Sequence, residues 1–202
     1  MRLGLFGGSF DPVHYGHLLL AETAREQARL DALWFVPAAS QPLKQSRALT
    51  AGATRVQMLE LAIGGHEAFR ISTVELDRGG VSYTVDTLAA IRAQRPDDEL
   101  CFLMGADSLG DFPRWREPQR ICEFATLLIA CRAGQELPDP QGIAAQLGLE
   151  LGKTLRVERI DMPAIELSSR DIRRRVSEGR SIRFRVPRAV EKLIETLPLY
   201  RK

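Results

Sequence analysis

The stretch "GLFGGSFDPVHYGHL" at residues 4–18 decides how this chain begins to fold. A short apolar run at residues 3–6 is followed by two glycines and an Asp-Pro pair, which are typical of a turn after a buried strand. From His14 onward, apolar residues recur every four positions, and this spacing predicts one face of a helix. The stretch therefore predicts a strand, a glycine-containing loop and a helix, with His14 and His17 where the helix begins.

Short apolar runs alternate with amphipathic segments along the rest of the chain. Strands are predicted at residues 2–6, 33–36, 69–74, 100–104, 126–131 and 155–160. Helices are predicted at about 15–29, 53–63, 83–95 and 140–148, with two more from Ser168 to Gly179 and after Pro187. This alternation is typical of an α/β protein with a Rossmann-like, doubly wound parallel sheet and flanking helices. We expect one domain over residues 1–202 whose small C-terminal helical part covers about 167–202.

Composition narrows the class of protein. The chain has 202 residues, 45% of them hydrophobic, and a net charge of only +2, so it can bury a core and has no overall basic bias toward nucleic acid. Its apolar runs are shorter than a signal peptide or a membrane span requires. The cysteines Cys101, Cys122 and Cys131 form no CxxC pair, and Cys101 and Cys131, which lie inside apolar runs, are interpreted as reduced core residues. We expect a cytoplasmic protein without nucleic-acid or membrane partners, and a homo-oligomer is left open.

The first loop has the features of a phosphate site. Unpaired N–H groups and the positive end of the dipole at a helix N-terminus favour an anion, and glycines let the backbone approach it closely. Gly7, Gly8, Ser9 and Phe10 therefore form a candidate cradle at the carboxyl end of the first strand. A dinucleotide-binding dehydrogenase is disfavoured because the spacing GxGxxG is absent. The segment "GLELGKT" at 148–154 is one residue short of a Walker A loop and precedes a strand.

The two histidines suggest the chemistry. At positions i and i+3 of one helical turn, His14 and His17 point the same way and could contact phosphoryl oxygens above the loop. A histidine ring can be neutral or protonated near neutral pH. Two such rings beside a phosphate site could therefore stabilise the negative charge of a phosphoryl-transfer transition state. A metal pair is the alternative, although no acidic or cysteine ligand lies beside them at helical spacing. His66 is interpreted as an ordinary polar residue.

Longer motifs resemble a known family. The segment "GGSFDPVHYGH" at residues 7–17 resembles the signature of the HxGH nucleotidyltransferases. It is followed in order by "PLK" at 42–44, "SYTVDTL" at 82–88, "GADSLGDFPRW" at 105–115 and "LSSRDIR" at 167–173. Together these motifs are similar to the bacterial nicotinate-nucleotide adenylyltransferases, which join ATP and nicotinate mononucleotide into deamido-NAD and pyrophosphate in NAD biosynthesis. Leu43 and Arg170 depart from the family pattern, which commonly has histidine and threonine there.

The resemblance implies a set of site residues. The implied catalytic residues are His14, His17 and Arg173. ATP binding is implied for Gly7, Gly8, Ser9, Phe10, His17, Lys44, Gly105, Asp107, Ser168, Ser169 and Arg173. Binding of nicotinate mononucleotide is implied for Ser9, Lys44, Thr84, Trp115 and Arg116. Magnesium is expected to be carried by ATP, with no metal ligands from the protein, because the sequence shows no dedicated carboxylate cage.

Several of these residues also have structural interpretations. Ser168, Ser169 and Asp107 could simply cap helices, and Trp115 could pack against its own loop. Lys44 could be a surface lysine, while Arg170, Arg174 and Arg175 are interpreted as a solvated basic face. The alternative activities are adenylyl transfer to nicotinamide mononucleotide or phosphopantetheine, or nucleotide binding by a sensor without turnover.

Overall fold

One parallel sheet organises the molecule. The computed structural model describes residues 1–40 and 49–201. Its strands are β1 (Arg2–Gly8), β2 (Ala32–Pro37), β3 (Phe69–Ile71), β4 (Glu99–Gly105), β5 (Ala125–Arg132) and β6 (Val157–Met162). They lie in the order β3-β2-β1-β4-β5-β6, and every neighbouring pair is parallel. The predicted doubly wound α/β sheet is confirmed, because the chain runs outward from β1 to β3 and then returns to place β4 beside β1.

Helices cover both faces of the sheet. They are α1 (Tyr15–Gln27), α2 (Gly52–Ile63), α3 (Val74–Arg78), α4 (Thr84–Gln94), α5 (Ala106–Asp111), α6 (Pro118–Phe124), α7 (Pro140–Leu147), α8 (Ser169–Ser177) and α9 (Arg188–Thr196). A single 3-10 turn at Phe112–Arg114 joins α5 to the loop before α6. Among the residues the structure describes, no helix has the length and apolar character needed to cross a membrane.

The side chains of β1 divide the core in two. Successive residues of a strand point to opposite faces, so Leu3 and Leu5 lie in one hydrophobic cluster while Phe6 lies in the other. The cluster around Phe6 includes residues of α1, α2, α8 and α9, and the cluster around Leu3 and Leu5 includes residues of α4, α5, α6 and α7. The helices α8 and α9 thus pack on the same face as α1.

Three segments differ from the sequence-based expectation. The third strand ends at Ile71 rather than at residue 74, because Val74 already begins the short helix α3. The sixth strand covers Val157–Met162, two residues later than predicted. Between β4 and β5 the chain forms α5, the 3-10 turn and α6, none of which was predicted. These elements are short and are separated by turn and proline residues, so they lack the length over which helical periodicity can be recognised.

Candidate active site

The two predicted histidines form the first turn of α1. His14 is the N-cap, and its Nδ1 accepts a hydrogen bond from the backbone N–H of His17 at 3.3 Å. The backbone N–H of His14 donates in return to Nδ1 of His17, also at 3.3 Å. The rings stack with centroids 3.7 Å apart and planes inclined by 19°. This reciprocal capping fixes both rings, because each satisfies a backbone donor that the start of a helix leaves unpaired.

The capping geometry also fixes where the ring protons lie. Since Nδ1 is the acceptor in both histidines, the proton of each neutral ring is carried by Nε2. Burial lowers the pKa of His14 to about 4, against an ordinary value of 6.5. A neutral His14 is consistent with its acceptor role and with the close stacking on His17. His14 is therefore neutral at neutral pH, and in both rings Nε2 is the nitrogen left to donate outside the capping pair.

Gly16 and Gly8 make room for these aromatic rings. A Cβ added at Gly16 would lie 3.0 Å from Nδ1 of His14, so the residue between the histidines must be small. A Cβ added at Gly8 would lie 2.9 Å from the Phe10 ring. Phe10 itself is fully buried, and its ring packs edge-on against His17 with centroids 5.0 Å apart. Within the described structure Gly8 thus accommodates an aromatic side chain, where the sequence suggested close approach of a ligand.

A cavity of about 680 Å³ opens beside the histidines. It lies at the carboxyl ends of β1 and β4, where the strand order reverses, and extends to the ends of β5 and β6. Such a reversal is the usual ligand site of an open α/β sheet. The predicted site residues in its wall are Ser9, His14, His17, Gly105, Asp107, Ser168, Ser169 and Arg173.

The start of α8 forms the opposite side of this cavity and is bonded to the first loop. Ser168 is the N-cap, and its side chain accepts from the backbone N–H of Asp171 at 3.1 Å. Ser169 Oγ donates to the carbonyl of Pro12 at 2.8 Å, and Arg173 Nη1 donates to the carbonyl of Asp11 at 2.7 Å. Ser168 is therefore a cap as well as a cavity residue, and the two predicted phosphate sites are joined by direct hydrogen bonds.

Asp107 lies across the cavity and is oriented by a residue that the sequence did not single out. Its Oδ1 accepts from Gln135 Nε2 at 3.0 Å, and Gln135 Oε1 accepts from the backbone N–H of Arg132 at 3.2 Å. Gln135 and Arg132 both line the cavity. Their position at the carboxyl end of β5, with Arg132 its last residue and Gln135 three residues further on, was the available signal, because the carboxyl ends of parallel strands meet at one edge.

Arg170 also lines the cavity, whereas the sequence suggested a solvated basic face. Its side chain is exposed, so it lies at the cavity mouth. Of the other two arginines in that expectation, Arg174 pairs with Asp171 at 2.5 Å and Arg175 donates to the carbonyl of Ser181 at 2.8 Å.

Trp115 belongs to a second region, on the other face of the sheet. We call Tyr83, Trp115 and Arg116 the tryptophan shelf. The half-buried Trp115 packs edge-on against Phe102 with centroids 6.2 Å apart, and Arg116 lies 4.8 Å above the Tyr83 ring. Thr84 follows Tyr83 as the first residue of α4. The shelf residues and Thr84 are not among the described residues that line the cavity.

A hydrogen-bond acceptor, the carboxylate of Asp86, lies beside the shelf. Nη1 of Arg116 lies 3.5 Å from Oδ2 of Asp86, with side chains 51% and 38% exposed. Asp86 is not among the residues that the resemblance implies for binding nicotinate mononucleotide. A carboxylate in this place partly offsets the charge of Arg116 and can accept from an amide.

The remaining predicted residues have the following positions. Gly7 is the penultimate residue of β1, with the Phe102 ring 3.8 Å from the place its Cβ would occupy. Because the Phe10 side chain is buried, only the backbone of Phe10 could contact a ligand. Lys44 lies outside the described residues. Within residues 1–40 and 49–201, no group of three or more histidine, cysteine, aspartate or glutamate side chains could hold a metal ion.

Comparison with known proteins identifies the family. The profile of the cytidylyltransferase-like family matches residues 5–175. The chain therefore belongs to the cytidylyltransferase-like family, which agrees with a doubly wound sheet whose cavity is lined by the paired histidines.

Full-length relatives narrow this assignment to the nicotinate-nucleotide adenylyltransferases. A protein of Thermomicrobium roseum described as a probable nicotinate-nucleotide adenylyltransferase is 47% identical over 200 residues, covering 99% of this chain and 92% of the relative. A Thermus thermophilus protein with the same description is 45% identical over 201 residues and covers 100% of both chains. The resemblance predicted from the motifs is confirmed.

A solved structure supports the fold independently. The Plasmodium falciparum nicotinic acid mononucleotide adenylyltransferase complexed with NaAD superposes with a TM-score of 0.76 and 19% identity, covering 98% of this chain and 97% of that one. At this identity the likeness bears on the fold alone.

Proposed function

We infer that this chain transfers the adenylyl group of ATP to nicotinate mononucleotide, giving deamido-NAD and pyrophosphate in NAD biosynthesis. The observation that carries the inference is the stacked pair of His14 and His17 in the wall of the same cavity as Asp107 and Arg173. Relatives of 47% and 45% identity along almost the whole chain bear the name of this activity. The reaction requires no nucleophile from the protein.

In the proposed reaction the acceptor is itself the nucleophile. A 5′-phosphate oxygen of nicotinate mononucleotide attacks the α-phosphorus of ATP. A new P–O bond forms as the bond between the α-phosphorus and the oxygen bridging to the β-phosphate breaks, and pyrophosphate leaves with that electron pair. Catalysis then depends on positioning and on stabilising charge at the phosphoryl oxygens.

The histidines and α8 supply this stabilisation. His17 and His14 would donate from Nε2 to oxygens of the α-phosphate, because their Nδ1 atoms are occupied in capping. Arg173 and the N-terminal turn of α8 would place positive charge near the leaving pyrophosphate and stabilise it. The contribution of Lys44 to the same phosphates stays a prediction. Magnesium would arrive bound to the triphosphate and neutralise part of its charge.

The two nucleosides would occupy two separate regions, the cavity and the tryptophan shelf. Asp107, held by Gln135, would accept hydrogen bonds from the ribose of ATP beside Gly105. The nicotinate ring would stack on Trp115, with its carboxylate near the backbone N–H groups of Thr84 and Arg116. Ser9, in the cavity wall, would contact the phosphates of both substrates through its backbone. Gly7, Gly8 and Phe10 would support ATP in the same way.

The remaining expectations concern the whole chain. We propose that residues 1–202 act as one nucleotidyltransferase domain, since α8 contributes both to the core around Phe6 and to the cavity wall. Location in the cytoplasm, independence from nucleic acid and the oligomeric state stay predictions from the sequence.

A three-acceptor assay tests the proposed function. The protein is incubated with ATP, magnesium and one of nicotinate mononucleotide, nicotinamide mononucleotide or phosphopantetheine, while pyrophosphate release and product mass are followed. We expect the fastest release and a deamido-NAD mass with the nicotinate substrate. A faster reaction with either other acceptor would overturn the substrate assignment, and ATP binding without release in all three would indicate a sensor.

A further inference from the structure

The first loop, residues 9–12, also forms hydrogen bonds with residues that do not line the cavity. The carbonyl of Ser9 accepts from Nη1 of Arg55 at 2.9 Å, whereas the carbonyls of Asp11 and Pro12 accept from α8 on the cavity side. Arg55 belongs to α2 and is only 2% exposed. It is not among the described residues that line the cavity. The loop is therefore fixed from two directions.

Arg55 is a buried cation that spans two loop segments. Its Nε donates to the carbonyl of Thr50 at 2.8 Å, while Nη1 reaches Ser9. Burial lowers the pKa of Arg55 from its ordinary value, and the negative charges of Asp11 and Glu75 oppose this effect. Removing a cation from water is costly unless it is paired and hydrogen-bonded. The planar guanidinium bonds the two carbonyls from two separate nitrogens in a fixed fork, whereas a lysine would have to donate to both from one nitrogen.

Tyr200 holds the same loop through Asp11. The Tyr200 hydroxyl donates to Oδ1 of Asp11 at 2.6 Å, and the backbone N–H of Thr50 donates to Oδ2 at 3.4 Å. Asp11 is fully buried. Tyr200 adopts a φ of +63°, an unfavourable backbone conformation for a residue with a side chain. The strain is tolerated in a position where the ring packs against the core around Phe6.

We propose that Arg55 and Tyr200 are positioning residues for adenylyl transfer, which fix residues 9–12 and thereby set where His14 and His17 lie. The inference rests on the proposed function. Only Pro12 and Val13 separate Asp11 from the N-cap His14, so a shift of Asp11 moves the histidine rings. A displacement of about 1 Å in a catalytic group can cost up to two orders of magnitude in rate.

The test is a matched pair of hydroxyl deletions. Tyr200→Phe keeps the ring and removes only the donor to Asp11, whereas Thr73→Val removes a hydroxyl that donates to another carboxylate, Oδ2 of Asp77 at 2.7 Å, away from the cavity. We expect Y200F to lower kcat about tenfold with the ATP KM within about twofold, and T73V to leave both unchanged. The imidazole NMR signals of His14 and His17 should shift in Y200F and not in T73V.

The outcomes separate this inference from the proposed function. Wild-type protein that fails to make deamido-NAD refutes the function, and the imidazole signals of Y200F then still decide whether Tyr200 sets the ring positions. Active wild type with Y200F within twofold in kcat, measured well below both melting temperatures, overturns the inference. Should Y200F be unfolded at the assay temperature, Arg55→Lys provides the same test. It retains the charge but loses the separate Nε and Nη1 donors that fix Thr50 and Ser9. A wild-type kcat and unshifted imidazole signals in R55K would therefore also overturn the inference.

Discussion

The first loop and the tryptophan shelf lie on opposite faces of one sheet and differ in construction. The loop is buried, and its carbonyls and the Asp11 carboxylate accept hydrogen bonds from α2, α8 and Tyr200. The shelf is half-exposed and is held by ring contacts and the open ion pair between Arg116 and Asp86. Catalytic positioning depends on fixed geometry, whereas recognition of a flat ring tolerates more movement. Substitutions that disturb the loop should therefore lower kcat, and substitutions in the shelf should raise the KM for nicotinate mononucleotide.

Removing a histidine ring should have the largest effect. We expect His17→Ala to lower kcat by roughly 10²–10³ while the dissociation constant of ATP changes by less than about threefold, because the ring acts mainly in the transition state. Turnover and ATP binding are measured on the same preparation. His66→Ala is the matched control, since His66 stacks on Phe69 and pairs with Glu22 away from the cavity. A mutant with more than a third of the normal rate would rule out this role for His17.

Lowering the pH should destabilise the folded protein through the protonation of His14. The folded protein holds the pKa of His14 at about 4, whereas the unfolded chain binds this proton near 6.5, so between these values the unfolded state binds more protons. Above about pH 6.5 His14 is neutral in both states and leaves the free energy of unfolding unchanged. As the pH falls from 6.5 toward 4, the unfolded state gains a proton that the folded state does not, so the free energy of unfolding decreases. The loss should be roughly 2–3 kcal/mol by pH 4.5.

Urea unfolding at pH 7 and pH 4.5 checks this effect. His14→Asn keeps a good helix cap and removes the titrating ring, so its stability should change less between the two pH values. His66→Gln is the control and should keep the full loss. An equal loss in His14→Asn and wild type would contradict the prediction.

A substitution in the tryptophan shelf should change the KM for nicotinate mononucleotide. We expect Trp115→Ala to raise the KM for nicotinate mononucleotide about tenfold, because stacking of a flat base on an aromatic ring contributes about 1–3 kcal/mol. The kcat at saturation should stay within about twofold, since the loop is untouched. Trp115→Phe keeps an aromatic platform and should recover most of the affinity. An unchanged KM in Trp115→Ala would place the pyridine ring elsewhere.

The smallest expected effect concerns the choice between acid and amide. We expect the wild type to favour nicotinate over nicotinamide mononucleotide in kcat/KM by about tenfold or more, because each mismatched hydrogen bond costs about 1–3 kcal/mol. Asp86→Ala removes the acceptor beside Arg116 and should increase this preference about two- to fivefold, the size of an exposed ion pair.

Asp111→Asn is the control for this change. Asp111 forms a comparable exposed pair with Arg114 at 3.8 Å, and its loss should leave the preference unchanged. A preference for the amide in the wild type would overturn the substrate assignment and leave adenylyl transfer standing. A lower preference for the acid in Asp86→Ala would mean that Asp86 supports acid binding by orienting Arg116.

The sequence predicted those parts of the molecule that depend on local pattern. Apolar runs such as "LWFV" and "TLLIAC" became β2 and β5, and the paired histidines occupy one helical turn, because periodicity and spacing are local properties. Arg55 shows what a local pattern misses. In the amphipathic helix predicted at 53–63 the apolar residues should face the core, yet Arg55 is buried and Val56 is only half-buried.

The burial of Arg55 could not be read from its neighbours along the helix. It depends on the carbonyl of Ser9, 46 positions away, which offsets the cost of removing the guanidinium from water. Gln135 is a similar case, since its role depends on Asp107 across the strand ends. Contacts of this kind appear only when the fold brings distant segments together.

The hydrogen bond between Asp11 and Tyr200 also has a consequence for the order of synthesis. It joins positions 189 residues apart, so the loop is synthesised long before the residue that bonds its carboxylate. The strand β6 ends at Met162, so the sheet can pair before residue 200 has emerged, whereas Asp11 gains this partner only afterwards. Nascent chains would therefore acquire their sheet well before their full turnover rate, and a chain released early would be folded in part and slow.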